Sequence, residues 1–397
     1  MRSAAAISEH LDTRTAAMEV AALLEKAMDG PTDLVFVFAS FHHRESFENA
    51  IADIRRTLAP KTIVGITAES VIGCDLELEG VAGLSAIALH LPGVTITPWT
   101  TTPKNPLPLS TPDEIPNWIG LQKNTQAIFL FADPFSTPIT RLLPALVKCR
   151  GEDSLLPVIG GMASGASQAT FNRLVLDDTG MRSGGIGLTI SGPIRIDCIA
   201  SQGCRPIGSH YPVTKVDRNV VLELGGRPAL DVLHDLARNA SPHERHLLEG
   251  GLLLGSVIDE HKSHFGRGDF LIRSILGLDR KRKGIAAGEF YRLGKTVQFH
   301  VRDAQTAVED LQLLLDAQQL RDSPFAGILV TCNGRGRSLF HEDDHDLTII
   351  RERMGELPIA GFFAAGEIGP IGQESFLHGH TACLTLFRRE DELTNGM

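Results

Sequence analysis

The stretch "PIAGFFAAGEIG" (358–369) is an apolar run that breaks on Gly361 and places Ala364 three residues on. The same figure occurs in "TIVGITAESVIG" (62–73), with Gly65 and Ala68, and in "PVIGGMASGASQ" (157–168), with Gly160 and Ala163. A second apolar run precedes each copy: "LVFVFAS" (34–40), "AIFLFAD" (127–133) and "GILVTCN" (327–333). The offsets agree, because Ala39 to Gly65, Ala132 to Gly160 and Cys332 to Gly361 span 26, 28 and 29 residues. Three matches in register predict an internally repeated unit.

The intervening segments read as helices. "RESFENAIADIRRTLA" (44–59) puts Phe47, Ile51, Ile54 and Leu58 on one face, and "PITRLLPALVKC" and "DLTIIRERMG" repeat the spacing. Each unit is therefore strand, loop, helix, strand, which implies parallel strands joined by a right-handed crossover. A further strand follows each glycine motif: "GLSAIALHL" (83–91), "GGIGLTIS" (184–191) and "TACLTLF" (381–387). Helices cover one face of such sheets, and the strands are apolar enough to need cover on the other. The fold class expected is α/β, with internally repeated β-α-β-β units in a layered αββα-like sandwich with pseudo-symmetry. A separate module, 205–305, reads as a helix (226–239), a buried strand within 246–260 and further strands joined by glycine turns. A helix opening at the N-cap Asp303 follows it.

Composition narrows the function. Net charge is −10, which argues against bulk-charge binding of nucleic acid. The basic run "DRKRKG" (279–284) reads as a solvated turn. Six cysteines form no CxxC and no zinc-finger spacing accompanies them, so no metal site is expected and reduced thiols fit a cytoplasmic home. No span reaches the roughly 20 apolar residues of a membrane helix.

Candidate binding residues lie after the strands of the last unit. In "CNGRG", Cys332, Asn333, Gly334, Arg335 and Gly336 follow a buried strand. Glycines there expose amides to an anion, and Arg335 offers a fork for carboxylate. A plain turn is the alternative. "GFFAAGEIGP" brings Gly366 and Glu367 to the same sheet edge, where ligands of open α/β sheets bind. Arg335 and Glu367 could then hold the two charges of an amino acid, or else form an internal ion pair. "FLHGHT" offers His378 and His380, pointing the same way along an extended segment. The choices are a polar ligand, a haem iron, or simple packing. Cys332 reads as a nucleophile without an assigned base or as a small buried residue. "HEDDHD" (341–346) reads as a cation site or, more simply, as an acidic helix start, and "GRGDFLIR" (266–273) as a capped strand or a pocket wall.

Together, "GITAESVIG", "PVIGGMASGAS", "GSVIDEHKSHFGRGDFLIRSILG", "LGKTVQFHVRDA", "CNGRG", "GFFAAGEIGP" and "FLHGHTA" resemble, in order, the motifs of the FIST family. Ile66 stands where that family often has cysteine. The resemblance implies an N-terminal helical segment (1–32), a FIST N-terminal domain (33–225) and a FIST C-terminal domain (226–390). It implies an intracellular sensory protein that binds a small ligand, without enzymatic activity, and signals through a partner such as a histidine kinase, a cyclase or a ubiquitin-ligase component. No cofactor is expected; a haem-based gas sensor using His378, and a ligand-free protein–protein adaptor, are the alternatives it leaves. About thirty residues precede the first expected strand and about ten follow the last, which leaves output to a partner.

Overall fold

A computed structural model describes residues 1–149, 151, 156–372 and 374–390. Two compact units result. One holds Met1–Ala200, Gln312–Leu377 and the chain from Thr381 onward; the other holds Ser201–Leu311 and His378–His380.

In the first unit the chain writes one topology three times. The first copy is β1 (Arg2–Ser8), α1 (Thr13–Met28), β2 (Leu34–Ser40), α2 (Phe47–Leu58), β3 (Thr62–Ala68), a hairpin of β4 (Val71–Gly73) and β5 (Leu76–Leu78), and β6 (Leu84–His90). The second is β7 (Thr95–Thr101), α3 (Ile115–Trp118), β8 (Thr125–Ala132), α4 (Ile139–Lys148), β9 (Val158–Met162), the hairpin β10 (Leu174–Leu176) and β11 (Thr179–Met181), and β12 (Gly185–Ser191). The third opens with β13 (Ile194–Gln202). The chain then writes the elements of the second unit: β14 (Cys204–Asp217), β15 (Val220–Leu224), β16 (Arg227–Pro228), α5 (Ala229–Asn239), α6 (Pro242–Glu249), β17 (Leu252–Val257), β18 (Phe270–Asp279), β19 (Gly284–Ala287) and β20 (Thr296–Arg302). It resumes with α7 (Ala304–Gln318), β21 (Ala326–Cys332), α8 (Arg337–Phe340), α9 (His345–Met354), β22 (Ile359–Ala364), the hairpin β23 (Glu367–Ile371) and β24 (Glu374–His378), and β25 (Thr381–Arg389).

Each copy builds the same sheet. The strands flanking its crossover helix are parallel (β2 and β3, β8 and β9, β21 and β22), and its return strand pairs antiparallel with the first of them (β6 on β2, β12 on β8, β25 on β21). Each hairpin leaves its own copy and extends the sheet of another, so β4 pairs β22, β10 pairs β3 and β23 pairs β9. Three six-stranded sheets of one order result. The registers coincide as well: Val37 faces Gly65, Leu130 faces Gly160 and Leu329 faces Gly361. At Gly361 a Cβ would fall 1.8 Å from the Leu329 carbonyl oxygen. At Gly160, with φ at +134°, it would fall 2.2 Å from that of Leu130. Two of the three glycines in the pattern are thus required by close backbone approach.

Alternate residues of the first strands point into one apolar core shared by all three sheets. Phe36 meets Phe129 at 5.3 Å, Phe38 meets Phe362 at 5.2 Å and Phe129 meets Phe387 at 5.8 Å. The outer faces carry helices, with α1 and α2 on the first sheet and α4 on the second. This is the expected αββα-like layering, with three sheets around the core rather than two. The expected N-terminal helical segment (1–32) contains α1 but also β1, which pairs along its whole length with β6. A short strand alternating small residues gave no pattern to read.

The second unit falls where a separate module was expected, so its boundary does not coincide with the 225/226 division read from the family resemblance. Its strands are antiparallel, and β14 pairs with both β20 and β15, which closes the sheet into a barrel. Within 246–260, residues 246–249 belong to helix α6 and only Leu252–Val257 is strand. Ser241 and Glu244 form a capping box there that the apolar run hid. Asp303 caps the following helix, accepting from the Thr306 hydroxyl at 2.6 Å.

Phe362 closes the shared core, fully buried against Phe38 and Phe131. Phe362→Ala is expected to cost about 3–5 kcal/mol in urea unfolding. Leu320→Ala, at a residue 90% exposed, is expected to cost less than about 0.5 kcal/mol.

Candidate functional site

The shared core fixes three equivalent positions. The inward stripe of β2 runs Leu34, Phe36, Phe38 and ends at Ser40; that of β21 ends at Cys332; that of β8 runs on to Asp133, just past the strand. These polar residues open three equivalent loops at the carboxyl edges of the sheets, where open α/β sheets receive ligands. "CNGRG" is the third of these loops, and "DPFST" (133–137) is its counterpart in the second copy.

In the third loop the chain supplies its own partners. The Arg335 side chain is fully buried and donates to Asp346 through Nε at 3.0 Å and Nη2 at 2.8 Å. Its guanidinium lies 5.2 Å from the Phe340 ring centre. Burial opposes the charge on Arg335, but the Asp346 carboxylate outweighs it and holds the guanidinium protonated. In the same way Asp346 stays ionised despite burial, held below the usual range by Arg335. The loop amides are engaged too. Asn333 N donates to the Ala364 carbonyl at 3.1 Å and Arg335 N to that of Cys332 at 2.8 Å. Gly334 N donates to Cys332 Sγ at 3.4 Å. Arg337 N donates to Glu79 at 2.9 Å, and a Cβ on Gly336 would strike that same carboxylate. The carboxylates this loop receives, Asp346 and Glu79, come from the chain itself.

Glu367 is the third copy's departure from its sisters. It faces Gly161 across the sheet, as Val71 faces Phe362 and Leu174 faces Ile66. A carboxyl therefore stands where the other two copies place apolar side chains, and all three are fully buried. Oε2 accepts from Thr381 N at 3.2 Å, whereas Oε1 and Arg335 Nη1 find no hydrogen-bond partner among the described residues. Burial pushes Glu367 well above the ordinary carboxyl range. The Thr381 amide, the Arg335 charge and the Cys332 thiol oppose the shift only in part. Cys332, Arg335 and Glu367 are thus brought together, with burial favouring the uncharged form of Glu367 and Asp346 compensating the guanidinium. Gly366 accepts through its carbonyl from Met162 N at 2.8 Å.

The second loop differs. A cleft of about 450 Å³ opens between it and residues 101–109, lined by Thr101, Thr102, Leu107, Phe135, Ser136 and Thr137 among others, and by no charged side chain. Its floor is ordered by Asp133, which accepts from Ser136 at 2.6 Å and from Asn172 at 2.9 Å. In the first loop His43 is fully buried and bonded to the Thr13 hydroxyl at 3.0 Å; burial lowers its pKa to about 4 and keeps it neutral.

His378, buried at the end of β24, and His380 belong with the barrel unit. The backbone at His380 turns left-handed (φ +61°), so the two rings do not follow the strand alternation expected of them. The 450 Å³ cleft has no histidine in its lining, the cavity beside the buried His300 measures about 70 Å³, and His378 lines none of the described cavities. No group of three or more metal-ligating side chains forms among the described residues. Asp346 and Glu77 are the residues the sequence reading missed. Asp346 shares the buried face of α9 with Ile349 and Ile350, and an acid at that spacing was the available signal. "GRGDFLIR" satisfies both of its readings: Asp269 caps Gly266 N at 2.8 Å, and Arg267 and Phe270 line the small cavity. "DRKRKG" is a turn, with Arg282 held by Asp279 and Asp217.

The FIST N domain matches residues 33–227 and the FIST C domain residues 229–370. An uncharacterized protein of Mycobacterium tuberculosis is 36% identical over 395 residues, covering 98% of this chain and 100% of its own. Another, from Mycobacterium bovis, is 34% identical over 401 residues, covering 98% and 99%. A crystal structure of cyanuric acid hydrolase from A. caulinodans aligns over 98% of this chain and 100% of its own, at 8% identity and a TM-score of 0.38.

Glu77 gives the buried cluster a measurable pH signature. Burial, reinforced by the Asp346 charge, raises its carboxyl from 4.5 to about 8. Between those values the folded chain holds a proton that the unfolded chain releases. This share of the stability is complete below about pH 4.5, falls as pH rises and is gone above about 8. Glu77→Gln is expected to flatten the stability profile from pH 5 to 8 by up to about 1.4 kcal/mol per pH unit. Urea unfolding across pH checks it.

Proposed function

The chain belongs to the family of FIST N and FIST C domain proteins, and from that premise we propose that it is an intracellular sensory protein that takes up a small polar molecule and signals through a partner protein. FIST domains are associated with sensory and signal-transduction roles. The observation that carries the reading is the 450 Å³ cleft at the carboxyl edge of the second sheet. Its size lies in the range of small-molecule sites, and it combines apolar walls with a few hydroxyls. Those hydroxyls suit an uncharged ligand with one or two hydrogen-bonding groups. Burying a full charge against such walls without a counter-charge would be costly.

A second reading keeps the ligand, an amino acid, at the first-unit residues Cys332, Asn333, Gly334, Arg335, Gly336, Gly366 and Glu367. What favours it is the pair of buried atoms without partners, Glu367 Oε1 and Arg335 Nη1. It requires Arg335 to give up Asp346, an exchange that leaves a buried carboxylate uncompensated.

One experiment separates them. A metabolite screen by thermal unfolding should yield a compound that stabilises the protein by about 2.7 kcal/mol at a hundred times its Kd. Thr102→Trp, which fills the cleft, is expected to abolish that gain and leave the unliganded melting temperature within a few degrees. Glu367→Gln should preserve it. Loss in Glu367→Gln together with retention in Thr102→Trp assigns the ligand to the second reading.

A further inference from the structure

Two of the six cysteines stand together in the first unit. Cys198 lies on β13, at the edge of its sheet, and Cys383 on β25, the strand beside it. A Cβ on Gly369 would fall 2.8 Å from the Cys383 sulfur and 3.6 Å from the Cys198 sulfur, so both thiols converge over one glycine of β23. The first copy supplies the register. Gly73 is the counterpart of Gly369, two residues past Val71 as Gly369 is past Glu367, and a Cβ there would meet Ser85 and Ile7. Ile7 and Ser85 are direct partners across β1 and β6. Cys198 and Cys383 therefore take the places of a directly opposed pair. Such pairs hold their Cβ atoms about 4.5–5.5 Å apart and a disulfide needs about 3.5–4.5 Å, so an approach of about 1 Å joins the sulfurs.

The two thiols differ in access. Cys383 is 2% exposed, whereas Cys198 is half-buried and is the sulfur an oxidant meets first. The Cys198 thiol donates to the Ile199 carbonyl at 3.8 Å, which leaves its sulfur to accept from Cys383. That hydrogen bond, and after it burial, push the Cys383 thiol well above the ordinary thiol range, so Cys383 keeps its proton until a bridge forms.

We propose that Cys198 and Cys383 are a reversible disulfide pair, closed by a hydroperoxide and reopened by a thiol. The Cys198 thiolate attacks one peroxide oxygen. An S–O bond forms, the O–O bond breaks, and the departing oxygen takes up the proton that Cys198 gave up. The Cys383 sulfur then attacks the sulfenic sulfur. The S–S bond forms, the S–O bond breaks, and the hydroxyl leaves as water with the Cys383 proton. The two thiols lose two electrons and the peroxide gains them. Two molecules of a thiol reverse the step by exchange and become a disulfide themselves. The bridge closes the chain from residue 198 to residue 383, and long closed loops gain the most stability, so the bridged form is the more stable one. The inference is independent of the cleft in the same unit.

Mild hydrogen peroxide added to the reduced full chain, followed by mass spectrometry without reductant, tests it. The expected result is a loss of two hydrogens and a peptide pair joined through Cys198 and Cys383, both reversed by dithiothreitol. The melting temperature should rise by a few degrees while the bridge stands. Cys383→Ser, which copies Ser85 of the first copy, should fold, lose no hydrogens and let dimedone capture a sulfenic acid on Cys198. Cys198→Ser should give neither product. The proposal is overturned if peroxide only adds oxygen, if the joined peptides exclude either cysteine, if a folded Cys383→Ser or Cys198→Ser protein still loses two hydrogens, or if the bridged chain melts no higher than the reduced one.

Discussion

One packing constraint governs the first unit: alternate residues of three parallel-strand pairs must fill a single apolar core. A strand has period two, so choosing Phe36 and Phe38, Phe129 and Phe131, and Ile328 and Val330 as the inward set also chooses which residue each stripe reaches next. Those residues are Ser40, Asp133 and Cys332. The hairpin exchange reinforces the choice, because each sheet is completed by strands from another copy and no copy can change register alone. Hydrophobic burial thus decides where the polar chemistry of the fold stands.

From equivalent positions the loops have taken different courses. The third is closed by carboxylates of its own chain, Asp346 on Arg335 and Glu79 on the amide of Arg337. Burying an ion pair is tolerable only when geometry and hydrogen bonding are good, and the two-point contact to Asp346, with a third bond from Thr331, meets that condition. Glu367, a carboxyl set where the sister copies have Val71 and Leu174, has no comparable partner among the described residues, and burial raises its pKa well above the ordinary carboxyl range. Among the described residues no carboxylate from outside the second loop closes it; Asn172 and the Gly184 amide bond to it, and a cleft forms against residues 101–109. The difference between a closed and an open loop lies in side chains supplied from elsewhere in the fold.

The strands and crossover helices were legible because their signals are local. The run 34–40 is strand β2 over its whole length, and the amphipathic spacing of 44–59 yields α2 over Phe47–Leu58. The glycine figure marked equivalent positions because close packing imposes it on each copy, against backbone at Gly160 and Gly361 and against Phe47 and Ile51 at Gly65. What could not be read was which distant residue completes a site. Arg335 and Glu367 do sit near each other, as their loops implied. Asp346 arrives from α9 and Glu79 from just beyond the exchanged hairpin of the first copy, more than 250 residues upstream of the loop. Strand exchange brings Glu79 to the loop, and local patterning carries no trace of it; Asp346 left only its place on the buried face of α9 as a signal. The cleft was missed for a related reason: "DPFST" has neither the glycines nor the arginine that drew attention to "CNGRG".

Crystals soaked in isopropanol give the most direct measurement. The alcohol carries one hydroxyl and a small apolar body, the chemistry the second loop displays. Bound isopropanol is expected between Thr101, Phe135 and Ser136, with none against Arg335 or Glu367. Ordered isopropanol beside Arg335 and Glu367, with the second loop bare at the same soak, would contradict the assignment of the open loop as the receptor.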